Sequence, residues 1–257
     1  MHEKNIIIKT KDGNLDCKSF VNGNTNTPTI IFYMDAPGIR EELRTMCRRI
    51  LKNGYNVLLP NLFYRVGTEG NYPFNQLLYR NSKEELNKMI STMNNTTNNM
   101  IIDDTKYIID YINNNFDNNK GIGIVGYCMS GRFVVSCGAS YADKILAIAS
   151  FYGVEILTEK NDSPHLVAHK IKGELYLAFA EKDKWVPKDT LSKIKKNFSK
   201  YKNCFIEVYP STDHGFAFPE RNTYVKEAAE IHWKKLIYLF DKNLKKSNFI
   251  YGRCGRI

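Results

Sequence analysis

The 257-residue sequence predicts an α/β protein with a mostly parallel, eight-stranded sheet covered by helices on both faces. Three observations carry that prediction. Short apolar runs recur without polar alternation, as strands buried on both faces require. Amphipathic segments with helical spacing lie between them. The first two runs are joined by Lys11-Asp12-Gly13-Asn14, whose Asp-Gly pair marks a tight turn, so the sheet begins as an antiparallel hairpin.

The hairpin strands are residues 5–9 and 15–20, and 29–34 is the first fully apolar strand. Residues 39–53 form a helix that turns Leu43, Met46, Cys47, Ile50 and Leu51 inward and stops at Gly54. The strand at 55–59 ends on Pro60. Residues 61–100 break the alternation with Tyr, Phe, Gly and Asn; Ser82 and Glu85 open a short helix there as a capping box. Excursions of this length commonly wall or cover a site. An amphipathic helix at 101–116 follows. The apolar strand from Ile122 then turns at Cys128 into a helix reaching about Tyr141. Strands at 145–151, 174–180 and 205–209, a helix at 188–201 and a last helix at 223–244 complete the order. In that last helix Ile231, Leu236, Leu239 and Phe240 form the expected apolar side. The asparagine-rich stretches 94–99 and 113–119 read as loops, and the tail 245–257 as frayed. One domain over 1–257 is the expectation at this length and an apolar content of 43%.

The net charge of +10 raises nucleic-acid binding, but the densest basic cluster is the lysine face of the 188–201 helix, opposite Leu191, Ile194, Phe198 and Tyr201. No basic motif interleaved with aromatics accompanies it, so nucleic acid is not expected as a partner. Six cysteines (17, 47, 128, 137, 204, 254) form no CxxC pair, which favours a reducing compartment over disulfides or zinc. Cys47 and Cys137 fall on apolar helix faces as core thiols. Ile6-Ile7-Ile8 is too short for a secretory signal. No window approaches the roughly 18–20 apolar residues of a membrane helix, so a soluble, cytoplasmic protein is expected. His165 and His169 share a helical spacing without a third ligand, so no metal is expected. Gly121, Gly123 and Gly126 spell GxGxxG, but inside the strand instead of in a following turn, so no dinucleotide or other cofactor is expected.

In such sheets, ligands bind at the carboxyl ends of the strands. The residues there are Asp35-Ala36-Pro37, 60–65, Cys128, Tyr152, Asp183 and His214. Cys128 stands at a strand-to-helix corner flanked by Gly126, Ser130 and Gly131, the small residues needed where strand and helix backbones nearly touch. The helix start lowers a thiol pKa through its free amides and dipole. Asp183 and His214 follow in the chain order nucleophile, acid, base. His214 is the only histidine at a strand end; Glu181 and Asp213 compete with Asp183 as the acid, and Asp183 is preferred. The Met129 amide and the Ala36 amide would form an oxyanion hole, because Pro37 has no N–H to give. Asp35, beside that point, is a candidate accessory group for the thiol proton. Thiolate leaves a tetrahedral intermediate more readily than an amine does, so a cysteine nucleophile suits esters and lactones better than amides.

The segments Phe32-Tyr33-Met34-Asp35-Ala36-Pro37-Gly38-Ile39-Arg40, Leu59-Pro60-Asn61-Leu62-Phe63-Tyr64-Arg65, Val125-Gly126-Tyr127-Cys128-Met129-Ser130-Gly131, Phe151-Tyr152-Gly153, Asp183-Lys184-Trp185-Val186-Pro187 and His214-Gly215-Phe216-Ala217 resemble the dienelactone hydrolase family over about residues 4–243. The resemblance implies an eight-stranded α/β-hydrolase with Cys128, Asp183 and His214 as triad and a small-molecule ester or lactone as substrate. It implies an acidic residue at Asp35 interacting with the resting thiol, and Arg65 binding a substrate carboxylate. Tyr64, Tyr152 and Phe216, within the matching segments, are candidate substrate contacts. The family's second substrate arginine has no direct counterpart; its place is nearer Phe218, with Arg221 beyond. The competing reading is a non-catalytic binding or scaffold protein on the same fold.

Overall fold

The computed structural model describes residues 2–23, 27–116 and 121–245. Strands β1 (His2–Thr10) and β2 (Gly13–Val21) form the antiparallel hairpin. They are followed by β3 (Thr29–Tyr33), β4 (Asn56–Pro60), β5 (Ile122–Tyr127), β6 (Ile145–Phe151), β7 (Glu174–Ala180) and β8 (Cys204–Tyr209). The sheet order is β1-β2-β4-β3-β5-β6-β7-β8. β2 pairs antiparallel with β4, and every later pair is parallel. The predicted sheet and its antiparallel start are both present.

Every residue of β3, β4 and β5 is buried, because helices cover both faces. The two glycines inside β5 identify them. A Cβ on Gly123 would strike Ile30, Leu244 and Phe240, while one on Gly126 would strike Ser130 and Val134. Positions an odd number apart on a strand face opposite ways. The last helix, α7 (Lys226–Leu244), thus covers one face, and the helix after the Cys128 corner, α4 (Ser130–Ser140), the other. α1 (Glu41–Lys52) is tied to α7 by Arg49–Glu230 pairs of 2.6 and 2.8 Å. Close packing is why β5 carries glycines, and a dinucleotide turn is not needed to explain them.

α1 buries its predicted stripe and stops at Gly54, whose φ of +86° suits glycine. Ser82 caps α2 (Lys83–Asn95) by accepting the Glu85 N–H at 3.3 Å. The Glu85 carboxylate, however, accepts from the Asn75 amide, so the box is half formed. α3 (Asn98–Asn115) is longer than expected and takes in asparagines 98, 99 and 113–115 that read as loop. Thr97 caps it at the Met100 amide, and burial of Ile101, Ile108 and Ile112 overrides the poor helix propensity of asparagine. Residues 117–119 of that stretch lie outside the described residues.

His165 and His169 lie on α5 (Pro164–Val167) and the 3-10 turn Ala168–Lys170. No group of three metal-binding side chains occurs among the described residues. α6 (Lys188–Phe198) buries Leu191, Ile194 and Phe198 and ends before Tyr201. On α7, Leu236, Leu239 and Phe240 are buried, but Ile231 is 45% exposed. The inward stripe passes through Ala228, Ala229, His232 and Trp233 instead. Lys245 is anchored, its Nζ donating to Asn53 O at 2.9 Å; the tail from 246, Cys254 included, lies outside the described residues. Among the described residues no helix is long and apolar enough to cross a membrane.

Candidate active site

β5 enters the corner at Tyr127 and α4 leaves it at Ser130, with Cys128 between them at a φ of 55°. Left-handed backbone costs a non-glycine residue about 1 kcal/mol, so its surroundings must hold it. Here the Cys128 N–H donates to Phe151 O, and Cys128 O accepts from Gly131 and Val154, each at 3.1 Å. A Cβ on Gly126 would lie 2.5 Å from Ser130 O, and one on Gly131 2.3 Å from the Gly153 Cα. The small residues are therefore steric requirements. The Ser130 hydroxyl donates to Met34 O, which ties the start of α4 to the exit of β3, where Ala36 lies.

Asp183, past the end of β7, accepts from the Trp185 amide with Oδ1 at 2.8 Å and pairs through Oδ2 with Nδ1 of His214 at 2.7 Å. Glu181 is occupied elsewhere, accepting from the Ser211 amide. The Thr223 hydroxyl donates to His214 O at 2.9 Å, and the Tyr152 ring meets the imidazole edge-on at 5.0 Å. Nε2 of His214 is buried without a hydrogen-bond partner. Thiol and imidazole nevertheless act on each other. Burial pushes the Cys128 thiol up, but the charge of His214, and then of Arg221, brings it below the ordinary value. Burial pushes His214 down, but the Cys128 thiolate and the Asp183 hydrogen bond raise it to about 9.

Asp35 is fully buried, and its carboxylate has other partners than the thiol. It receives Arg40 through two bonds of 2.6 and 3.2 Å and Arg221 through one of 2.6 Å. Burial would raise this carboxyl; the two guanidinium charges hold it below the usual range. Phe218 carries Arg40 and Arg221 against its ring at 5.4 and 5.3 Å. Asp35 thus holds two guanidiniums, one of which, that of Arg221, favours the Cys128 thiolate by its charge. Arg221 Nε and the Tyr152 hydroxyl are both buried and unpartnered.

Comparison with known proteins decides the family. The profile described as the dienelactone hydrolase family matches residues 18–244. The chain belongs to the dienelactone hydrolase family. A Synechocystis protein bearing the provisional name carboxymethylenebutenolidase is 30% identical over 227 residues, 85% of this chain and 87% of that one. A Yersinia pestis protein of the same provisional name is 22% identical, covering 84% and 78%. A structure provisionally named a dienelactone hydrolase, from Klebsiella pneumoniae, superposes with a TM-score of 0.79 at 21% identity, covering 94% of this chain and 98% of that one. The fold is that of an α/β-hydrolase, and this dienelactone hydrolase family member is an ester or lactone hydrolase.

Within this family member the remaining candidates separate. Tyr152 stands at the β6 exit with a φ of 39°, next to His214. Phe216 lies behind it, fully buried against Tyr152 and Tyr209. Arg65 and Tyr64 are not brought to Cys128 or His214. Arg65 pairs with Asp104 through two bonds of 2.8 Å and with Asp12 at 2.6 Å, while the Tyr64 hydroxyl meets Thr10 and Asp104. Two carboxylates saturate the guanidinium expected to bind substrate. His214 opens instead onto a cleft of about 510 Å³ that Tyr79, Leu86, Trp185, Arg221 and Thr223 also line. Tyr79 escaped the sequence reading, as did the pairing of Arg40 and Arg221 with Asp35; the signal that existed for Tyr79 was the 61–100 excursion, which also supplies Leu86.

Proposed function

We propose that this protein hydrolyses a carboxylic ester or lactone through a cysteine acyl-enzyme. Cys128 is the nucleophile, His214 the acid and base, and Asp183 the group that orients and charges the imidazole. The observation that carries the reading is the 2.7 Å Asp183–His214 bond beside a thiol whose pKa that histidine depresses, at a strained strand-to-helix corner. The thiolate attacks the carbonyl carbon, and the oxyanion is received by the Met129 and Ala36 amides, neither of which donates in the turns around the corner. The imidazolium gives its proton to the leaving alkoxide as the carbon–oxygen bond breaks. His214 then takes a proton from water, hydroxide adds to the thioester, and the thiolate departs. Asp35 acts through Arg221, holding its charge near the sulfur. Arg221 Nε and the Tyr152 hydroxyl supply unpartnered donors for an acidic group on the substrate. The chain acts as one hydrolase domain, and its free thiols fit the reducing cytoplasm.

Mass spectrometry after mixing with an aryl ester should find the acyl group on Cys128. Cys128→Ala should lower turnover by a factor of about 10³ or more, as loss of a nucleophile does. Turnover unchanged in that variant rejects the assignment of Cys128, whereas no turnover of any ester or lactone, with Cys128 alkylated no faster than Cys47 or Cys137, would favour the scaffold alternative.

A further inference from the structure

A second chamber adjoins the cleft. It measures about 830 Å³ and is built largely by residues 70–80, with Tyr72, Phe74 and Leu77 among its walls. Tyr79 and Arg80 line both spaces, so the chamber lies against the cleft with these two side chains between them. Its size falls in the range of small-molecule sites, roughly 300–1,000 Å³.

Arg40, Glu41 and Glu85, among the chamber's charged side chains, are paired. Arg40 is held by Asp35 and Glu42. Arg80 donates to Glu220 O at 2.7 Å and to the Tyr79 hydroxyl at 3.0 Å, forming a strut between the 61–100 excursion and the His214 loop. Glu41 binds Arg44 and Arg48, and Glu85 binds Lys88 and the Asn75 amide. Its apolar walls are Tyr72 and Phe74, both buried side chains that face it, and Leu77. Tyr72 and Phe74 stack at 5.5 Å, and Leu77 is 87% exposed. Among the described residues the Arg80 guanidinium and the Glu220 carboxylate form no ion pair, while an apolar group would be drawn from water by burial against the Tyr72, Phe74 and Leu77 walls.

We propose that this chamber is a distal subsite holding the uncharged aryl or alkyl end of the substrate while its carbonyl lies at Cys128. The assignment rests on the hydrolase reading above and narrows its substrate class to esters or lactones with an extended apolar arm. The Tyr79–Arg80–Glu220 strut marks the boundary the arm must cross.

The test uses two ester series sharing one short parent, extended with alkyl or phenyl groups on the acyl side or on the alcohol side. For the intact chain, kcat/KM should rise at least tenfold along one series, through KM. Leu77→Asp, at an exposed position, should remove that gain and leave the parent ester within twofold. Two flat series with Cys128-dependent turnover of the parent overturn the proposal, as does a Leu77→Asp loss equal for short and long esters. Calorimetry with Cys128→Ala separates the two readings. Extended-ester binding that weakens tenfold on adding Leu77→Asp supports the chamber even if turnover fails. Binding indifferent to Leu77 overturns it.

Discussion

At Cys128 burial works against ionisation, while His214 and Arg221 work for it, and the cations win. The His214 pKa moves the other way, to about 9, because a thiolate and a carboxylate face it. Between the lowered thiol value and about 9 the thiolate–imidazolium pair is the stable form. For ester hydrolysis, kcat/KM should therefore rise as the thiol deprotonates and fall above about 9, where the imidazolium can no longer protonate the leaving group. Arg221→Gln should shift the acid limb upward by roughly one unit, the effect of an opposite charge nearby, with partial rescue by Arg221→Lys. A pH profile of Cys128 alkylation reads this directly, and an unmoved limb would remove Arg221 from thiol activation. Cys128, Asp183 and His214 were legible because each follows a strand and the exits share one edge. Arg221 was visible beyond Phe218, but not its place on Asp35, because a loop position seven residues past the histidine has no periodicity to fix it. Asp35 was found, but its partners were not: an acid near a sulfur makes sense only once two guanidiniums are seen on it.

The corner is the element on which the site depends. Gly131 touches Gly153 backbone to backbone, so the turns presenting Cys128 and Tyr152 are packed against each other. Gly131→Ala should cost about 1–3 kcal/mol by urea denaturation, the usual penalty for overpacking, with turnover falling alongside. Unchanged stability would mean the contact is slack. Strands and the α1 stripe could be read from the chain because apolar pattern and burial agree there. α3 could not, since its asparagines oppose the helix that its isoleucines and Thr97 impose. The excursion was readable as a wall, but its aromatic lining depends on long-range packing that no local pattern encodes.

Across the whole molecule the hairpin is fastened by charge. Arg65 joins Asp12 in the hairpin turn to Asp104 on α3, and Lys11 reaches Asp103. Arg65→Gln leaves the buried Asp104 without its main partner and should destabilise the fold by about 3 kcal/mol, while ester turnover at low temperature stays within twofold. Lost turnover with stability retained would return Arg65 to the substrate.

Among the described residues the four non-glycine ones at positive φ are Cys128, Tyr152, Glu155 and Ser211, and the first two lie at the site. Glycine would relax the backbone at either place, yet it would delete the thiol or the ring. A descendant freed from turning over its ester would drift toward glycine there and gain robustness as it lost chemistry. Glycine at either bend would thus trade the proposed chemistry for a relaxed backbone.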